Sequence, residues 1–321
     1  MSGTFRASIS DVEALVQAHG YTAGAVKPVP GGHFNESYYI RTVQGPDLVV
    51  RIAPPPDAGL LFYERGMMAQ EPEIHDIVRR RTDLPVPEII AFDNTHRHIN
   101  RDAIIMERLP GRPLAHTRLS REAMDALMRD IGSALARLHR TCHARQYGYL
   151  GAHAPMNPAD RWSDAFLDMW DRLMGDLEGC GVFLPEHADD ARRAIEHNLE
   201  AFDYAGPARL LHMDIWTQNI LVDHEGTLCG IIDWDRALWG DPGIEFAVLA
   251  YCGFDNEAFR EGYGEWPGDG ASNETSADVR MRFYHLYEVL KYPVIWTLRG
   301  GRGERIASYR DYGLSMIREL L

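Results

Sequence analysis

One run of 24 residues, "HMDIWTQNILVDHEGTLCGIIDWD" at 212–235, restricts the possible fold more than any other part of this 321-residue chain. Its β-type stretches "NILVD" and "TLCGIID" are separated by "HEG", a pattern that predicts a hairpin of two short strands. A loop from His212 to Gln218 runs into the first strand, and Asp233 stands at the end of the second. We therefore expect Asp214 and Asp233 to converge on one cleft.

The residue types in this run suit phosphoryl transfer. That reaction needs a carboxylate to accept or orient the proton of the nucleophile, and hard oxygen ligands to hold magnesium on nucleotide phosphates. Asp214 suits the first role, and Asn219 and Asp233 suit the second. Each residue alone could simply form a turn, because Asp and Asn are frequent in turns. Their combination with the upstream glycine loop and strands favours the catalytic interpretation.

The pattern upstream predicts a small sheet, followed by helices. Ser10 and Glu13 form a capping-box pattern before a first helix. "SYYIRTV" and "DLVVRIA" predict a hairpin across "QGPD", directly after "GGHF", and "PVPEIIAFD" and "DAIIMERLPG" predict two further strands. Residues 60–81 should be helical, with Pro72 in the first turn or at a break. From Ser120 onwards, apolar residues recur at helical spacing.

Composition limits the partners. The chain is 45% hydrophobic and 25% charged, as in soluble globular proteins, and no apolar run is long enough to span a membrane. The N-terminus "MSGTFRASIS" lacks the apolar core of a secretion signal, so we expect a cytoplasmic protein, monomeric or homodimeric. The four cysteines are far apart, without a CxxC pair, so neither a disulfide framework nor a structural zinc is indicated. A net charge of -14 argues against nucleic-acid or membrane partners and favours a cationic ligand.

The pattern HxDxxxxN followed by Asp-Trp-Asp resembles the aminoglycoside phosphotransferase family, small-molecule kinases related to the eukaryotic protein kinases. "GGHFNESYYI" is similar to the nucleotide-covering loop of that family, "LVVRI" to its third strand, "MERLPGRPL" to its hinge and "GDPGIEFA" to the stretch after the magnesium aspartate. The resemblance implies an α+β, protein-kinase-like bilobal fold. Residues 1–107 would form an N-lobe of antiparallel sheet plus a helix, and residues 108–321 a mostly helical C-lobe.

The same resemblance implies ATP or GTP and Mg²⁺ as cofactors. It makes Asp214 the catalytic base, Asn219 and Asp233 the magnesium ligands, and His212 a structural member of the catalytic loop. Residues expected to contact the nucleotide are Gly31, Gly32, Asn35, Ser37, Arg51, Glu71, Glu107 and Leu109.

The chain departs from the family pattern most clearly at Arg51, where relatives carry a lysine. That lysine normally touches the α- and β-phosphates and pairs with a helix glutamate. The only lysines, Lys27 and Lys291, are not placed to replace it. Arg51 would supply the same positive charge on a planar guanidinium group. Glu71 is its expected partner, with Glu73 as the rival. Milder departures are Met213, Trp216 and Glu245.

The acceptor has no local motif, because relatives phosphorylate aminoglycosides, other antibiotics, choline-like alcohols, sugars and amino-alcohol metabolites. Residues 241–278 contain nine acidic residues against Arg260, a local charge of -8. This favours a cationic acceptor such as an aminoglycoside-like antibiotic or amino sugar, with Asp235, Glu245 and Glu261 as candidate contacts. The alternative is a solvated acidic surface, with a sugar or alcohol as the acceptor.

Other functions compete with the small-molecule kinase. A metal-dependent hydrolase built on His212, Asp214 and Asp233 would need further clustered ligands. A non-catalytic kinase-like nucleotide-binding protein has Arg51 as its main argument. Protein-kinase activity is less favoured, because Asp-Trp-Asp replaces DFG and no APE segment follows.

Overall fold

The computed structural model describes residues 7–30, 34–55, 57–264, 274–301 and 303–321. The first part of the chain forms an antiparallel sheet. Its strands are β1 (Ala23–Pro28), β2 (Glu36–Thr42), β3 (Leu48–Ile52), β4 (Ile89–Asp93) and β5 (Ala103–Glu107). They lie in the order β1-β2-β3-β5-β4, so the predicted hairpin of β2 and β3 is confirmed.

Helix α1 (Ile9–Ala18) packs on one face of this sheet through Val12 and Leu15. The predicted cap was wrong by two residues. Ser8 is the N-cap: its Oγ accepts a hydrogen bond from the backbone N–H of Asp11 at 3.1 Å, and the Asp11 carboxylate accepts one from the N–H of Ser8. This reciprocal pair satisfies helix N–H groups that would otherwise lack partners.

The segment between β3 and the main helix of the N-lobe is not the continuous helix predicted for residues 60–81. Two 3₁₀ turns, Phe62–Glu64 and Met67–Gln70, come first, and helix α2 (Glu71–Arg81) follows. Gly66 separates the turns in the left-handed region at φ 69°, which glycine adopts without strain. Pro72 lies in the first turn of α2, where its missing N–H costs nothing. Residues 58–70 are called the strap below.

The C-lobe is mostly helical, as expected. Its helices are α3 (Arg121–Thr141), α4 (Trp162–Gly179), α5 (Pro185–His197), α6 (Gly243–Tyr251), α7 (Glu257–Tyr263), α8 (Glu274–Leu298) and α9 (Glu304–Leu320). Helix α4 places Trp162, Phe166 and Trp170 on one face, because residues four apart are neighbours on a helix surface. These rings pack against Phe202 and Tyr284 in an aromatic core.

Two small sheets position the functional loops of the C-lobe. They contain β6 (Arg112–Pro113), β7 (His143–Ala144), β8 (Ala208–Leu211), β9 (Ile220–Val222), β10 (Leu228–Ile231) and β11 (Leu238–Gly240). The predicted hairpin is β9–β10, whereas the sheet of β7, β8 and β11 was not predicted. Its strands have two to four residues, too few to show an alternating pattern.

The β9–β10 hairpin lies directly beneath the N-lobe. The N–H of Ile231 donates a hydrogen bond to the carbonyl of Pro85 at 3.0 Å, so the end of β10 is fixed against the segment before β4. Asp233 follows two residues later and therefore enters the space between the lobes. Among the described residues, no helix combines the length and apolar character needed to cross a bilayer.

Candidate active site

The catalytic loop begins at His212, which is completely buried between β8 and Asp214. Its Nδ1 accepts a hydrogen bond from the N–H of Asp214 at 3.2 Å, and Nε2 lies 3.0 Å from the carbonyl of Ile232. Nε2 therefore carries the proton. Burial lowers the pKa of His212 below its ordinary value. Because both ring nitrogens are engaged, the imidazole braces the loop against the hairpin and cannot be a metal ligand, which removes the hydrolase alternative.

Glu245 anchors the same loop from below. Its Oε1 accepts hydrogen bonds from the N–H groups of His212 and Met213, both at 2.8 Å, and Oε2 lies 2.8 Å from Nε2 of His139. Burial acts to raise the pKa of Glu245, but the hydrogen bond and charge of His139 outweigh burial, and the pKa is lowered. The carboxylate is inaccessible, with 0% of the residue exposed. The structure thus places Glu245 under the loop and not in an acceptor site.

Met213 occupies the left-handed region at φ 63°, which glycine adopts more readily than other residues. A side chain in that conformation is strained, and the two hydrogen bonds to Glu245 hold the backbone there. The mild departures at Met213 and Glu245 are therefore physically connected.

Asp214 lies at the cleft with about a fifth of its side chain exposed, 22%. Asn219 Nδ2 donates to the backbone carbonyl and to Oδ2 of Asp214, both at 2.9 Å. Arg236 Nη1 donates to Oδ1 at 3.1 Å. The carboxylate is therefore fixed in orientation by two side chains.

Arg51 on β3 pairs with Glu71 of α2. Nη1 donates to both carboxylate oxygens, at 2.7 and 2.6 Å, and Glu71 is fully buried. Glu73, the rival partner, is exposed. This ion pair connects strand β3 to helix α2, and it is the pairing that the sequence predicted.

The same guanidinium also reaches across the cleft. Nη2 of Arg51 lies 2.5 Å from Asp233 Oδ1 and 3.1 Å from Asp235 Oδ2. Burial acts to lower the pKa of Arg51, but the three surrounding carboxylates outweigh it and raise that pKa. Burial alone would raise the pKa of Asp233, but the positive charge of Arg51 outweighs burial, and the pKa of Asp233 is lowered.

Asp235 is not an open acceptor contact. It is 3% exposed and is covered by the N-lobe: Asn35 Nδ2 donates to Oδ2 at 2.9 Å, and the side-chain amide of Gln70 donates to its carbonyl. Burial, and next the charge of Asp233, raise the pKa of Asp235. The second aspartate of Asp-Trp-Asp thus joins the lobes.

Two functional candidates were missed from the sequence. Arg236 bridges Asp214 and Glu64, with Nη2 lying 3.8 Å from Glu64 Oε1. Arg299 at the end of α8 donates to the same Oε1 at 2.7 Å. Arg236 directly follows Asp-Trp-Asp, which could have drawn attention to it, whereas nothing in the local sequence marks Glu64.

The predicted nucleotide contacts that the structure describes lie in the N-lobe and at its connection to the C-lobe. Ser37 pairs with Arg51 in the register of β2 and β3. Glu107 ends β5 and donates its N–H to the carbonyl of Glu88, while Leu109 follows in the connection to the C-lobe. Within the described residues, the N–H of Leu109 donates no hydrogen bond. Gly31 and Gly32 lie outside the described residues.

Within the described part of the acidic segment 241–278, which excludes residues 265–273, several acids pair with basic side chains. Asp241 is buried against Arg280 and Tyr284. Glu261, a predicted acceptor contact, pairs with Arg129 at 2.6 Å on the outer surface, where α7 packs on α3. Asp255 is similarly paired with Arg260. Among the described acids of this segment, Asp241, Asp255 and Glu261 are therefore paired and do not offer free carboxylates to a cationic acceptor.

The oxygen donors that face the cleft suit magnesium. Asn219 uses its amide nitrogen for Asp214, which leaves Oδ1 directed away from that contact. Asp233 uses Oδ1 for Arg51, which leaves Oδ2. Amide and carboxylate oxygens are the ligands that this hard cation prefers, so the residues present fit the implied metal.

Comparisons with known proteins agree with this arrangement. The sequence profile of the phosphotransferase enzyme family matches residues 25–284. Viomycin phosphotransferase of Streptomyces vinaceus is 26% identical over 183 residues, 54% of this chain and 58% of that protein. A subtelomeric hrmA-associated cluster protein of Aspergillus fumigatus is 31% identical over 121 residues, 37% of this chain and 22% of that protein. The chain thus spans less than two thirds of these relatives.

Solved structures share the fold. Aminoglycoside phosphotransferase APH(4)-Ia superposes with a TM-score of 0.65 at 18% identity over 98% of both chains. APH(2")-IIa in complex with gentamicin gives 0.65 at 17% identity over 98% of this chain and 97% of that one. A candidate fructosamine-3-kinase from Thermobifida fusca YX-ER1 gives 0.68 at 20% identity over 98% and 99%. The fold class is therefore confirmed, and because the family profile matches most of the sequence, the chain belongs to the phosphotransferase enzyme family.

Proposed function

We propose that the protein transfers the terminal phosphoryl group of a nucleoside triphosphate to a hydroxyl group of a small molecule. The observation that carries this proposal is the meeting of Asp214, Asn219, Asp233 and Arg51 in one cleft between the lobes. We place the lobe boundary between Glu107 and Arg108, at the end of β5.

Asp214 acts as the base. It orients the acceptor hydroxyl and receives its proton while the acceptor oxygen forms a bond to the terminal phosphorus. The bond between that phosphorus and its bridging oxygen breaks, and nucleoside diphosphate leaves with the electron pair. Asn219 and Arg236 hold the carboxylate for this step, because each donates a hydrogen bond to a different oxygen.

Asn219 and Asp233 would hold Mg²⁺, and Arg51 would contact the phosphates. When bound, the ion neutralises charge that develops on the transferring phosphoryl group. Arg51 supplies a delocalised cation with donors in a fixed fork, and Glu71 fixes its direction. Asn35 and Ser37 follow the glycine loop and would lie above the phosphates.

The base of ATP or GTP would meet the backbone after β5. Met106 is buried at the inner end of this connection, and the N–H of Leu109 is available to a purine edge. The carbonyl of Glu107 would be the second contact. Both purines can use backbone groups of this kind, so nucleotide preference must be measured.

The acceptor is an alcohol in this proposal. Relatives support a cationic antibiotic or amino sugar, because structures of the same fold contain hygromycin B or gentamicin. A sugar or other metabolite alcohol is the second candidate, supported by the paired state of the acidic residues near Asp255 and Glu261. Salt dependence separates them, since a cationic acceptor held by exposed carboxylates would show a Michaelis constant that rises with ionic strength.

Release of nucleoside diphosphate from ATP and from GTP, with Mg²⁺ and a panel of hydroxyl compounds, tests the proposal. Acceptor-dependent and Mg²⁺-dependent release would support it. Nucleotide binding that persists in the absence of any transfer would favour the non-catalytic kinase-like protein. A lack of nucleotide binding would contradict both the small-molecule kinase and the non-catalytic nucleotide-binding protein.

A further inference from the structure

Glu64 is a buried carboxylate in a strap whose other buried side chains are mostly apolar. Its side chain is 0% exposed, and Leu61, Phe62 and Met67 beside it belong to the hydrophobic core. Taking a carboxylate out of water is costly unless cations or hydrogen-bond donors compensate its charge. The partners of Glu64 therefore indicate what this acid does in the strap.

Two guanidinium groups and one backbone group compensate the charge of Glu64. Oε2 accepts a hydrogen bond from the N–H of Leu61 at 3.0 Å. Oε1 accepts from Nη2 of Arg299 at 2.7 Å and lies 3.8 Å from Nη2 of Arg236. The ring of Phe34 covers Arg299, with its centroid 5.1 Å from the guanidinium carbon. Glu64 thus holds Arg299 closely and Arg236 loosely.

Arg236 is shared between Glu64 and the proposed base. Its Nη1 donates to Oδ1 of Asp214 at 3.1 Å, while Nη2 is the nitrogen that lies near Glu64. Burial acts to lower the pKa of Arg236, but the negative charges of Asp214 and Glu64 outweigh burial, and the pKa is raised. The two nitrogens of one guanidinium therefore serve two different carboxylates, although a guanidinium can place both on a single carboxylate.

The base needs an open hydrogen-bond position to receive the acceptor proton. Each oxygen of a carboxylate has two lone-pair positions. On Asp214, Oδ1 receives Arg236 and Oδ2 receives Asn219. If Arg236 formed a bidentate pair with Asp214, its second nitrogen would bond to Oδ2 and take a position that Asn219 leaves open. The acceptor hydroxyl would then compete with a charge-assisted bond.

We propose that Glu64 is a positioning residue that restrains Arg236 to a single contact with Asp214 and so keeps the base open to the acceptor hydroxyl. This inference rests on the proposed kinase function and concerns the control of its base. Arg299 sets the balance, because it compensates part of the Glu64 charge and prevents Glu64 from drawing Arg236 away from Asp214. The strap therefore acts on the reaction through the charge of one residue.

A crystal structure of the full-length Glu64→Gln variant tests the restraint without an assay of activity. Glutamine keeps the size of the side chain and an oxygen that accepts from Arg299, but it removes the charge. Both Nη atoms of Arg236 should then lie within about 3.2 Å of Asp214. An Arg236 that keeps a single nitrogen on Asp214 would overturn the proposal.

Arg299→Ala gives the converse test, and it also serves if Glu64→Gln does not fold. Arg299 lies at the end of α8 with 27% of its side chain exposed, so its removal leaves the core intact. The uncompensated charge of Glu64 should draw Arg236 towards it and shorten the 3.8 Å separation to below about 3.2 Å. An unchanged separation would contradict the balance between the two carboxylates.

Turnover gives a further readout, measured as release of ADP from ATP and Mg²⁺ with hygromycin B, gentamicin, D-glucose or water alone as the acceptor. Glu64→Gln should lower kcat at least about tenfold and leave the Michaelis constant for ATP unchanged, because only the base is hindered. In an Arg236→Lys background the same change should cost less than about threefold, since an ammonium cannot form the bidentate pair. Losses that multiply in the double variant would overturn the proposal.

Asp176→Ala is the matched control for a loosened strap. Asp176 on α4 accepts from the N–H of Phe62 at 2.8 Å, so this change weakens the seating of the strap while Glu64 and Arg236 keep their charges. The kcat should fall by less than about threefold. A fall equal to that of Glu64→Gln would show that seating, and not charge, is what matters. If the parent releases no ADP, the kinase function fails, whereas the position of Arg236 in the variant structures still decides the restraint.

Discussion

The hairpin run of residues 212–235 and the strap of residues 58–70 contribute to the surroundings of Asp214 in different ways. The hairpin supplies its functional groups within one short stretch, so their spacing alone predicts that they converge. The strap contributes Glu64 from a region that is distant in sequence, and Arg236 connects Glu64 to Asp214. The chemistry of the site is therefore encoded locally, whereas the contact that supports Asp214 from the strap is created by tertiary packing.

The largest effect expected in the hairpin is at the base. Asp214→Ala should lower turnover by about two to four decades, the range for positioned acid–base groups, while nucleotide affinity is nearly retained. Glu225→Ala is the control, because Glu225 is an exposed carboxylate in the turn of the same hairpin. Near-normal turnover in Asp214→Ala with its true acceptor would show that the base assignment is wrong.

Glu245 tests whether the hairpin depends on support from outside it. Glu245→Ala leaves the N–H groups of His212 and Met213 buried without partners, so the free energy of unfolding should fall by about 2–4 kcal/mol. Urea unfolding measures this loss. Glu257→Ala, at an exposed position on α7, should change it by less than about 0.5 kcal/mol. Equal stability of the two variants would contradict the anchoring role.

Arg51 tests the contact between the N-lobe and the hairpin. Arg51→Ala should weaken nucleotide binding by about 10- to 100-fold, because one charge-assisted contact contributes roughly 1.5–3 kcal/mol. Arg51→Lys should retain much more affinity, since it restores the cation that the family normally uses. Arg41→Ala, an exposed arginine on β2, is the control. If the Ala and Lys variants both bind nucleotide like the parent, Arg51 has no role in phosphate binding.

The strap is tested by two glycines that should respond with opposite signs. A Cβ at Gly59 would lie 2.5 Å from both Cβ and the carbonyl oxygen of Leu298, so Gly59→Ala should destabilise the protein by about 1–3 kcal/mol. Gly175 lies in α4 with nothing within 4 Å of its Cβ position, so Gly175→Ala should stabilise it by about 0.5–1 kcal/mol. Thermal unfolding measures both. Tolerance of Gly59→Ala would show that the strap is loosely held.

The smallest effect concerns pH. Burial lowers the pKa of His212 beneath the hairpin and of His153 beside the strap, so both imidazoles stay neutral in the folded protein. Below their ordinary pKa of about 6.5, the unfolded chain binds protons that the folded chain does not. Stability should therefore fall as pH decreases from 6.5 towards the folded-state pKa values. His153→Gln should weaken the dependence of the unfolding free energy on pH between 6.5 and 5.5. An unchanged dependence would show that His153 is not kept neutral in the folded protein.

Sequence patterns predicted the sheet, the hairpin and the mostly helical C-lobe because each depends on local periodicity. They chose Glu71 over Glu73 as the partner of Arg51, and the 2.6–2.7 Å contacts agree. They misplaced the first cap because Ser8 and Ser10 have the same chemistry, and only backbone geometry decides which one lies outside the helix. The roles of Glu64 and Arg299 could not be predicted, since no spacing connects residues 235 positions apart.

The position of Arg51 has a consequence for how the protein would respond to divalent cations. Its guanidinium already satisfies Oδ1 of Asp233, so a divalent cation on the remaining Oδ2 would share this carboxylate with a fixed positive charge. The apparent affinity for the cation would then be its attraction to the carboxylate reduced by repulsion from the guanidinium. A lysine at this position would carry the charge on a single ammonium, so exchanging one basic residue for the other would change the cation concentration at which the cleft fills.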